Sequence, residues 1–424
     1  MRVLKIFDGD YPWDVRVEKV TRALHAAGHE VLVVCRNKAG HPRSEILEDG
    51  VAVERLPATT GRWNFLSFPF FFNPLWIVTV VRATRRFAPD LVLARDLPIA
   101  PLGILAGRIA KAPVVADLAE PYPDSLRTNL QLANPSRLDY LVRNPDLADL
   151  VERFVVRNVA ASIVVCPEAG WRLERQGLAA EAWSEVRNTA ILSRFSPTGE
   201  TPEAIRRFAG RTVVLFSGLI SHDRGLEVAI DAMAKLRERS PGRFALLVVG
   251  EGPMRAELAE RVRALRLEDD VHLAGWMDYG KLPDVVLHSD MGILPFHDCD
   301  HIRASLANKL FEYMALGLPI IASDIPVQTR IVEDVGSGLV FPPNDAEALA
   351  EAIERLGEDD ALRKRCGEAG RAASRTLYHW GVDGARLVSA LEHVLQSGRD
   401  ARGLPAALRG PAPLLAETGR EPAR

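Results

Sequence analysis

Ser305–Ser323 reads SLANKLFEYMALGLPIIAS, and the fold is decided by how this stretch is read. Asn308 is a residue type that caps helices, and the first N–H groups of a helix have no partner within it, so they favour an anion. Glu312 follows one turn later on the same side. Gly317 supplies the left-handed residue that ends a helix, and Pro319 suits the first position of a strand. The IIAS that follows is short and apolar enough to be fully buried in a parallel sheet. A helix with an anion-attracting start, leading into a buried parallel strand, is one repeat of a doubly wound α/β sheet.

The same rhythm extends upstream and downstream. TVVLFS (212–217), FALLVVG (244–250), DVHLAG (270–275), MGILP (291–295), PIIAS (319–323) and GLVFP (338–342) are short apolar runs separated by helix-length segments. Before them come RVLKIF (2–7), EVLVVC (30–35), DLVLA (90–94), PVVAD (113–117) and SIVVC (162–166). Each set predicts its own parallel sheet. Asp14 predicts a helix cap, with Val17, Val20, Leu24 and Ala27 on one face and Gly28 at the end. Residues 191–210, containing SRFSPTGETPE, read as a linker. The chain thus divides into a domain at 1–190, a second at 211–375, a helix at 376–396 and a disordered tail at 397–424 rich in Arg, Ala, Pro and Gly. Two facing sheets predict a cleft with one ligand site on each side.

Bulk properties narrow the function. A chain of 424 residues with 47% hydrophobic and 26% charged residues is a soluble, two-domain composition. Lys plus Arg at 53 against Asp plus Glu at 56 gives −3, which offers no basic field for nucleic acid. Cys35, Cys166, Cys299 and Cys366 match no zinc or redox spacing and suit a reducing cytoplasm. The apolar part of MRVLKIF is too short for a signal peptide, so the chain is expected to stay inside.

With these residues in place, the chain resembles the retaining GT-B glycosyltransferases of the "glycosyl transferases group 1" type, in particular bacterial transferases of envelope polysaccharide assembly with an NKLFEYM segment. The resemblance covers most of the chain. It rests on LFSGLISHDRGLE (215–227), VVGEGPMRAEL (248–258), HLAGWM (272–277) and NKLFEYMALGLPIIAS (308–323), and more loosely on YPWDVRVEKVTRALHAAGHEV (11–31), LVLARDLPIAPL (91–102) and VVADLAEPYPDSL (114–126). VRNTA from Val186 resembles the exit from the first domain, and Trp380 sits where a final helix would cross back. Two departures stand out: the first of the family's paired acids falls at Ala304, and its usual Arg and Lys fall at about Leu219 and at Arg224.

The resemblance implies transfer of a sugar from a nucleoside-diphosphate sugar to a glycan or lipid-linked glycan, with retention, no protein nucleophile and no metal or other cofactor. Arg224 would grip the departing diphosphate, since a guanidinium stays charged and binds bidentately. The main-chain N–H groups of Leu306, Ala307 and Asn308 would add to it, with Gly218 and Gly9 in the approach to the phosphates. Lys309 either adds charge or points outward. Glu312 would accept from the ribose hydroxyls, or be an exposed helix charge. Backbone at Trp276 and Met277 would meet the base, the alternative being a buried aromatic. The Gly250, Gly252 and Pro253 turn reads as packing beside the site. HDCDH (297–301) invites a metal, but neighbours in one loop seldom converge on one ion; His297 and Asp298 are placed near the sugar instead. On the acceptor side, Asp96 and then Glu120 are candidates to orient or deprotonate a hydroxyl, or to act as cap or structural pair; Asp8 and Asp10 flank Gly9.

Phe65–Val81 reads FLSFPFFFNPLWIVTVV and is divided by Pro69 and Pro74, so it does not predict a spanning helix. Asn73 and Pro74 predict a helix start, and Arg82, Arg85 and Arg86 beyond it pose a choice between a core helix and one that touches an anionic membrane surface. The localisation expected is cytoplasmic, with peripheral membrane contact through 65–86 as the open point. Two other functions fit the same residues: a nucleotide-sugar epimerase of this architecture, and a non-catalytic nucleotide-sugar-binding subunit.

Overall fold

Asp14 starts the first helix as its position predicts. Its carboxylate accepts from the Val17 N–H at 2.9 Å, and the helix runs Val15–Ala26 with Val17, Val20 and Leu24 buried. The computed structural model describes residues 1–12, 14–59, 73–132, 143–397 and 403–410, with the backbone alone at 131 and 132. These form two compact units, Met1–Asn188 with the described residues from Gly381 on, and Thr189–Trp380.

The first unit is built on β1 (Arg2–Asp10), β2 (Glu30–Arg36), β3 (Ser44–Ile46), β4 (Ala52–Arg55), β5 (Leu91–Arg95), β6 (Val114–Asp117), β7 (Ala161–Val164) and β8 (Trp183–Glu185), in the order β3-β4-β2-β1-β5-β6-β7-β8. All pairings are parallel except β3 with β4. The strand order reverses between β1 and β5, so the crevice of this sheet opens at their carboxyl ends. The apolar runs coincide with β1, β2, β5, β6 and β7, whose central residues are buried. They miss β3, β4 and β8, three or four residues each towards the two edges of the sheet, where no continuous apolar run is needed.

Asn73 accepts from Leu75 N–H at 2.9 Å and Pro74 opens the helix Pro74–Phe87. Trp76, Val80 and Phe87 turn inward while Val78, Arg82, Arg85 and Arg86 are exposed. Residues 65–72 of the apolar run lie outside the described residues. Among the described residues no helix is long and apolar enough to cross a membrane.

The helix Trp380–Ser397 returns to the first unit. Arg187 Nε donates to Asp383 at 3.2 Å, and Arg386 donates to the Glu185 carbonyl at 3.0 Å. A structureless tail from Ser397 does not hold for 403–410. Leu404 is buried, its N–H donates to the Glu181 carbonyl at 2.8 Å, and Ser184 donates to the Leu408 carbonyl, because the outer edge of the sheet at β8 still needs covering.

The second unit is one parallel sheet of β9 (Thr212–Ser217), β10 (Phe244–Val249), β11 (Val271–Gly275), β12 (Met291–Leu294), β13 (Ile320–Ser323) and β14 (Gly338–Phe341), ordered β11-β10-β9-β12-β13-β14. All six coincide with the apolar runs. The reversal here falls between β9 and β12. Residues of 191–210 are fastened to this unit: Thr198 Oγ1 and Gly199 N–H donate to Asp284 at 2.9 and 2.8 Å.

Candidate active site

At the switch point of the second sheet the loops pack main chain against main chain. A Cβ on Gly225 would fall 1.9 Å from the Pro295 carbonyl oxygen, one on Gly250 1.8 Å from that of Gly218, and one on Gly252 2.1 Å from that of Ile220. Gly218, Gly225 and Gly250 also hold positive φ of 119°, 61° and 146°. Only glycine fits there, so the Gly-x-Gly turn is a packing element and forms a wall.

Arg224 closes the short turn His222–Arg224, and its guanidinium lies 4.8 Å over the Phe296 ring. Its neighbour Asp223 is buried and gathers the surroundings: His301 Nδ1 stands 3.2 Å from one carboxylate oxygen, Arg224 Nε 3.6 Å away, and Ser221 donates to the other oxygen. Burial alone would raise the Asp223 carboxyl; the bonds from His301 and Ser221 and the Arg224 charge hold it well below the usual range. Leu219, 56% exposed, contributes no charge.

The helix that leads into β13 spans Asn308–Leu316, and its cap is Ala307, not Asn308. Asn308 is already the first helical residue, and Ala307 makes no side-chain capping bond, so the helix start is left to its main-chain N–H groups. Among the described residues, none accepts from the N–H of Leu306, Ala307 or Asn308. Gly317 ends the helix at φ 73°. Lys309 does not point outward: it is 8% exposed, with its ammonium 3.4 Å from the Phe216 ring centre and 5.4 Å from that of Phe296.

Glu312 is likewise 8% exposed, not a surface charge, and its Oε1 accepts from the Tyr279 hydroxyl at 2.9 Å. Burial, then the Glu312 charge, push the Tyr279 phenol far up, so it stays a donor. Tyr313 on the same helix accepts from the Ser217 N–H at 2.9 Å, tying helix to β9. Beyond β11, Trp276 is 73% exposed and Met277 half-buried, which removes the buried-aromatic alternative.

The side chains of HDCDH go separate ways. His297 shares its ring nitrogens between Glu227, at 2.5 Å, and Asn344. Glu227 in particular raises the His297 imidazole above its ordinary value, against the effect of burial. Asp298 takes both arms of Arg303 at 2.6 and 2.8 Å, and His301 turns to Asp223.

In the first unit, Asp96 follows β5 with φ 69° and ψ 152°, a strained backbone for a residue with a side chain, and makes no capping bond. Burial chiefly, with the charges of Asp8, Asp117 and Glu120, pushes its carboxyl up to about 7 against the pull of Arg95, whose Nε is 3.5 Å away. Asp8 is raised by burial too, and Glu120 is exposed. Beneath them lies Asp117, gripped by Arg16 at 2.7 Å and 3.8 Å from both Lys5 and Arg95. Gly9 has a local explanation, since a Cβ there would sit 2.5 Å from the Phe7 ring. Asp10 accepts from the Lys38 N–H at 2.9 Å.

Two groupings result. Arg224, Gly218, Lys309, the helix start and Glu312 gather around the end of β9; Asp8, Asp96 and Glu120 gather around β1 and β5. Sequence reading missed Tyr279, Phe296, the Asp223–His301 pair and the Lys5–Arg16–Arg95–Asp117 cluster. No spacing signal links Tyr279 to Glu312, and a Lys inside RVLKIF interrupts an apolar run without announcing a partner.

Residues 198–373 match the family described as Glycosyl transferases group 1, and residues 14–189 match the Glycosyl transferase 4-like domain. The alpha-D-kanosaminyltransferase of Streptomyces kanamyceticus is 28% identical over 270 residues, 62% of this chain and 67% of that protein. The sucrose-phosphate synthase from Thermosynechococcus elongatus superposes with a TM-score of 0.72 at 20% identity, over 93% of this chain and 99% of the other. HepE of Anabaena, in complex with UDP-glucose, gives 0.67 at 17% identity over 92% and 99%. The two structures carry the fold and the family matches carry the kinship: the chain has the GT-B fold, with residues 14–189 belonging to the glycosyl transferase 4-like domains and residues 198–373 to the glycosyl transferases group 1.

Proposed function

We propose that the chain transfers a sugar from a nucleoside-diphosphate sugar to a glycan or lipid-linked glycan acceptor, with retention of anomeric configuration. One observation carries this: a buried carboxylate, Glu312, is oriented by Tyr279 and sits on the helix whose unpaired N–H groups accompany the cation Arg224 at the sheet's switch point. A carboxylate suits two ribose hydroxyls, and a helix start beside a guanidinium suits a diphosphate. HepE, bound to UDP-glucose, makes the uridine series the first to try.

In the reaction proposed, the bond from the anomeric carbon to the diphosphate oxygen breaks as the acceptor oxygen attacks from the same face. The acceptor proton passes to the departing diphosphate, with Asp96 orienting the hydroxyl. A carboxyl near 7 and a strained backbone both favour that role for Asp96. Arg224 and the helix start stabilise charge on the leaving group, and no metal is required. Lipid-linked acceptors would be met at a membrane surface: Arg82, Arg85 and Arg86 with Arg43, Ser44 and Glu54 line an open cavity of about 630 Å³ on the first unit.

The test is thermal stabilisation by a panel of nucleoside diphosphates and their sugars, on wild type, Glu312→Ala and Arg224→Ala. Selective stabilisation by one base, lost in both variants, is the expected result; indifference of the wild type to every compound would sink it. Sedimentation with anionic liposomes checks the surface contact separately.

A further inference from the structure

Lys309 is a buried cation with no counter-ion. Among the described residues its ammonium makes no hydrogen bond and no ion pair; its contacts are the faces of Phe216 and Phe296. A lysine nine-tenths buried in that state costs stability unless something anionic arrives. Its position says where. The ammonium touches the open side of Gly218, 3.2 Å from where a Cβ would stand, so any side chain there would cover it. Phe296 carries Arg224 at 4.8 Å and Lys309 at 5.4 Å, so two cations are held by one ring. Lys309 is itself the second residue of the helix whose start has free N–H groups.

Resting on the donor reading above, we infer that Lys309 is a second diphosphate-binding cation, set beside Arg224 under Gly218 and held without a partner until the ligand supplies one. The groups facing it are Arg224 and Asp223 from the preceding turn and Glu312 from its own helix, with the uncharged rings of β9 and of the loop after β12. Burial first, and then Arg224, lower its proton affinity; Glu312 and Asp223 oppose this without restoring it. A diphosphate beside it reverses the balance, so binding draws in a proton.

The experiment is calorimetric titration of wild type and Lys309→Met with UDP, GDP and ADP and with the matching monophosphates. For whichever base binds, the variant should bind the diphosphate at least about tenfold more weakly, the loss of one charge-assisted contact, while monophosphate affinity changes far less. At pH 9, where the phosphates are fully ionised, titration of the wild type in buffers of different ionisation enthalpy should show proton uptake with the diphosphate. Equal diphosphate affinity in a folded Lys309→Met overturns the inference, as does absence of uptake should that variant not fold. If the wild type binds none of the six nucleotides, it is the donor reading itself that falls.

Discussion

The Tyr279 hydroxyl donates to Glu312 Oε1 at 2.9 Å, from a turn 33 residues upstream of the carboxylate it fixes. The Tyr279 ring is in turn 5.8 Å from that of Phe195, so the donor is held from behind. Tyr279→Phe should leave Glu312 in place but free to rotate. A single neutral-to-charged hydrogen bond of about 1–2 kcal/mol gives roughly a five- to thirtyfold loss of nucleotide affinity. Calorimetry decides it: unchanged affinity would mean that Glu312 is positioned by packing alone.

Arg224→Ala should lower turnover by about 10²–10³, the range for removing one preorganised donor to a developing anion. The guanidinium's protein contacts are a 3.6 Å pair with Asp223 and the Phe296 face, so the fold should survive. Full turnover in a folded variant would remove Arg224 from the mechanism, and Arg224→Lys should recover part of the loss.

Activity, once an acceptor is in hand, should be the same before and after exhaustive treatment with EDTA. A loss reversed by a divalent cation would require a different account of how the leaving group is stabilised.

The Asp117 cluster makes stability depend on pH in two windows. Three cations, Arg16 first, then Lys5 and Arg95, outweigh burial and hold the Asp117 carboxyl at about 2. Its contribution is therefore complete above the unfolded value of 3.8 and is lost as pH falls from there towards 2. Asp117→Asn leaves Arg16 and Lys5 without their ion-pair partner and should cost about 3–5 kcal/mol. Lys5 goes the other way, brought down to about 8 mainly by burial. Between 8 and its unfolded 10.5 the unfolded chain holds the extra proton, so wild-type stability gains with pH relative to Lys5→Met across that window. Urea unfolding of both at pH 7.5 and 10 measures the change; parallel curves would show that Lys5 does not titrate there.

What the sequence told in advance follows from what each feature depends on. The four inner strands of the second unit were legible because a strand buried on both faces has no choice but to be apolar, and β11 and β14 at its edges, though half-buried, keep short apolar runs. β3 and β8, at the sheet edges, are free of that demand. The helix start was legible to within one residue: Asn308 looks like a cap, yet Ala307 holds that place, and the consequence is main-chain donors with no side chain competing for them. The direction of Lys309 was not legible, because it depends on Phe216 and Phe296, 93 and 13 residues away along the chain. Gly9 has a purely local reason to be glycine, the ring of Phe7 two residues back on the same strand, and no spacing in the sequence announces it.

The three glycine contacts around Gly218, Gly225 and Gly250 have a practical bearing on redesign. A surface made of carbonyls and amides has no side chains to exchange, and each attempt to add one meets a carbonyl oxygen at under 2 Å or, at Gly218, the ammonium of Lys309. Changing which nucleotide or sugar is accepted is therefore expected to succeed only at other positions, the candidates being Trp276, Met277, Tyr279 and the loop from His297. A library confined to those positions would vary selectivity while the leaving-group machinery stays as it is.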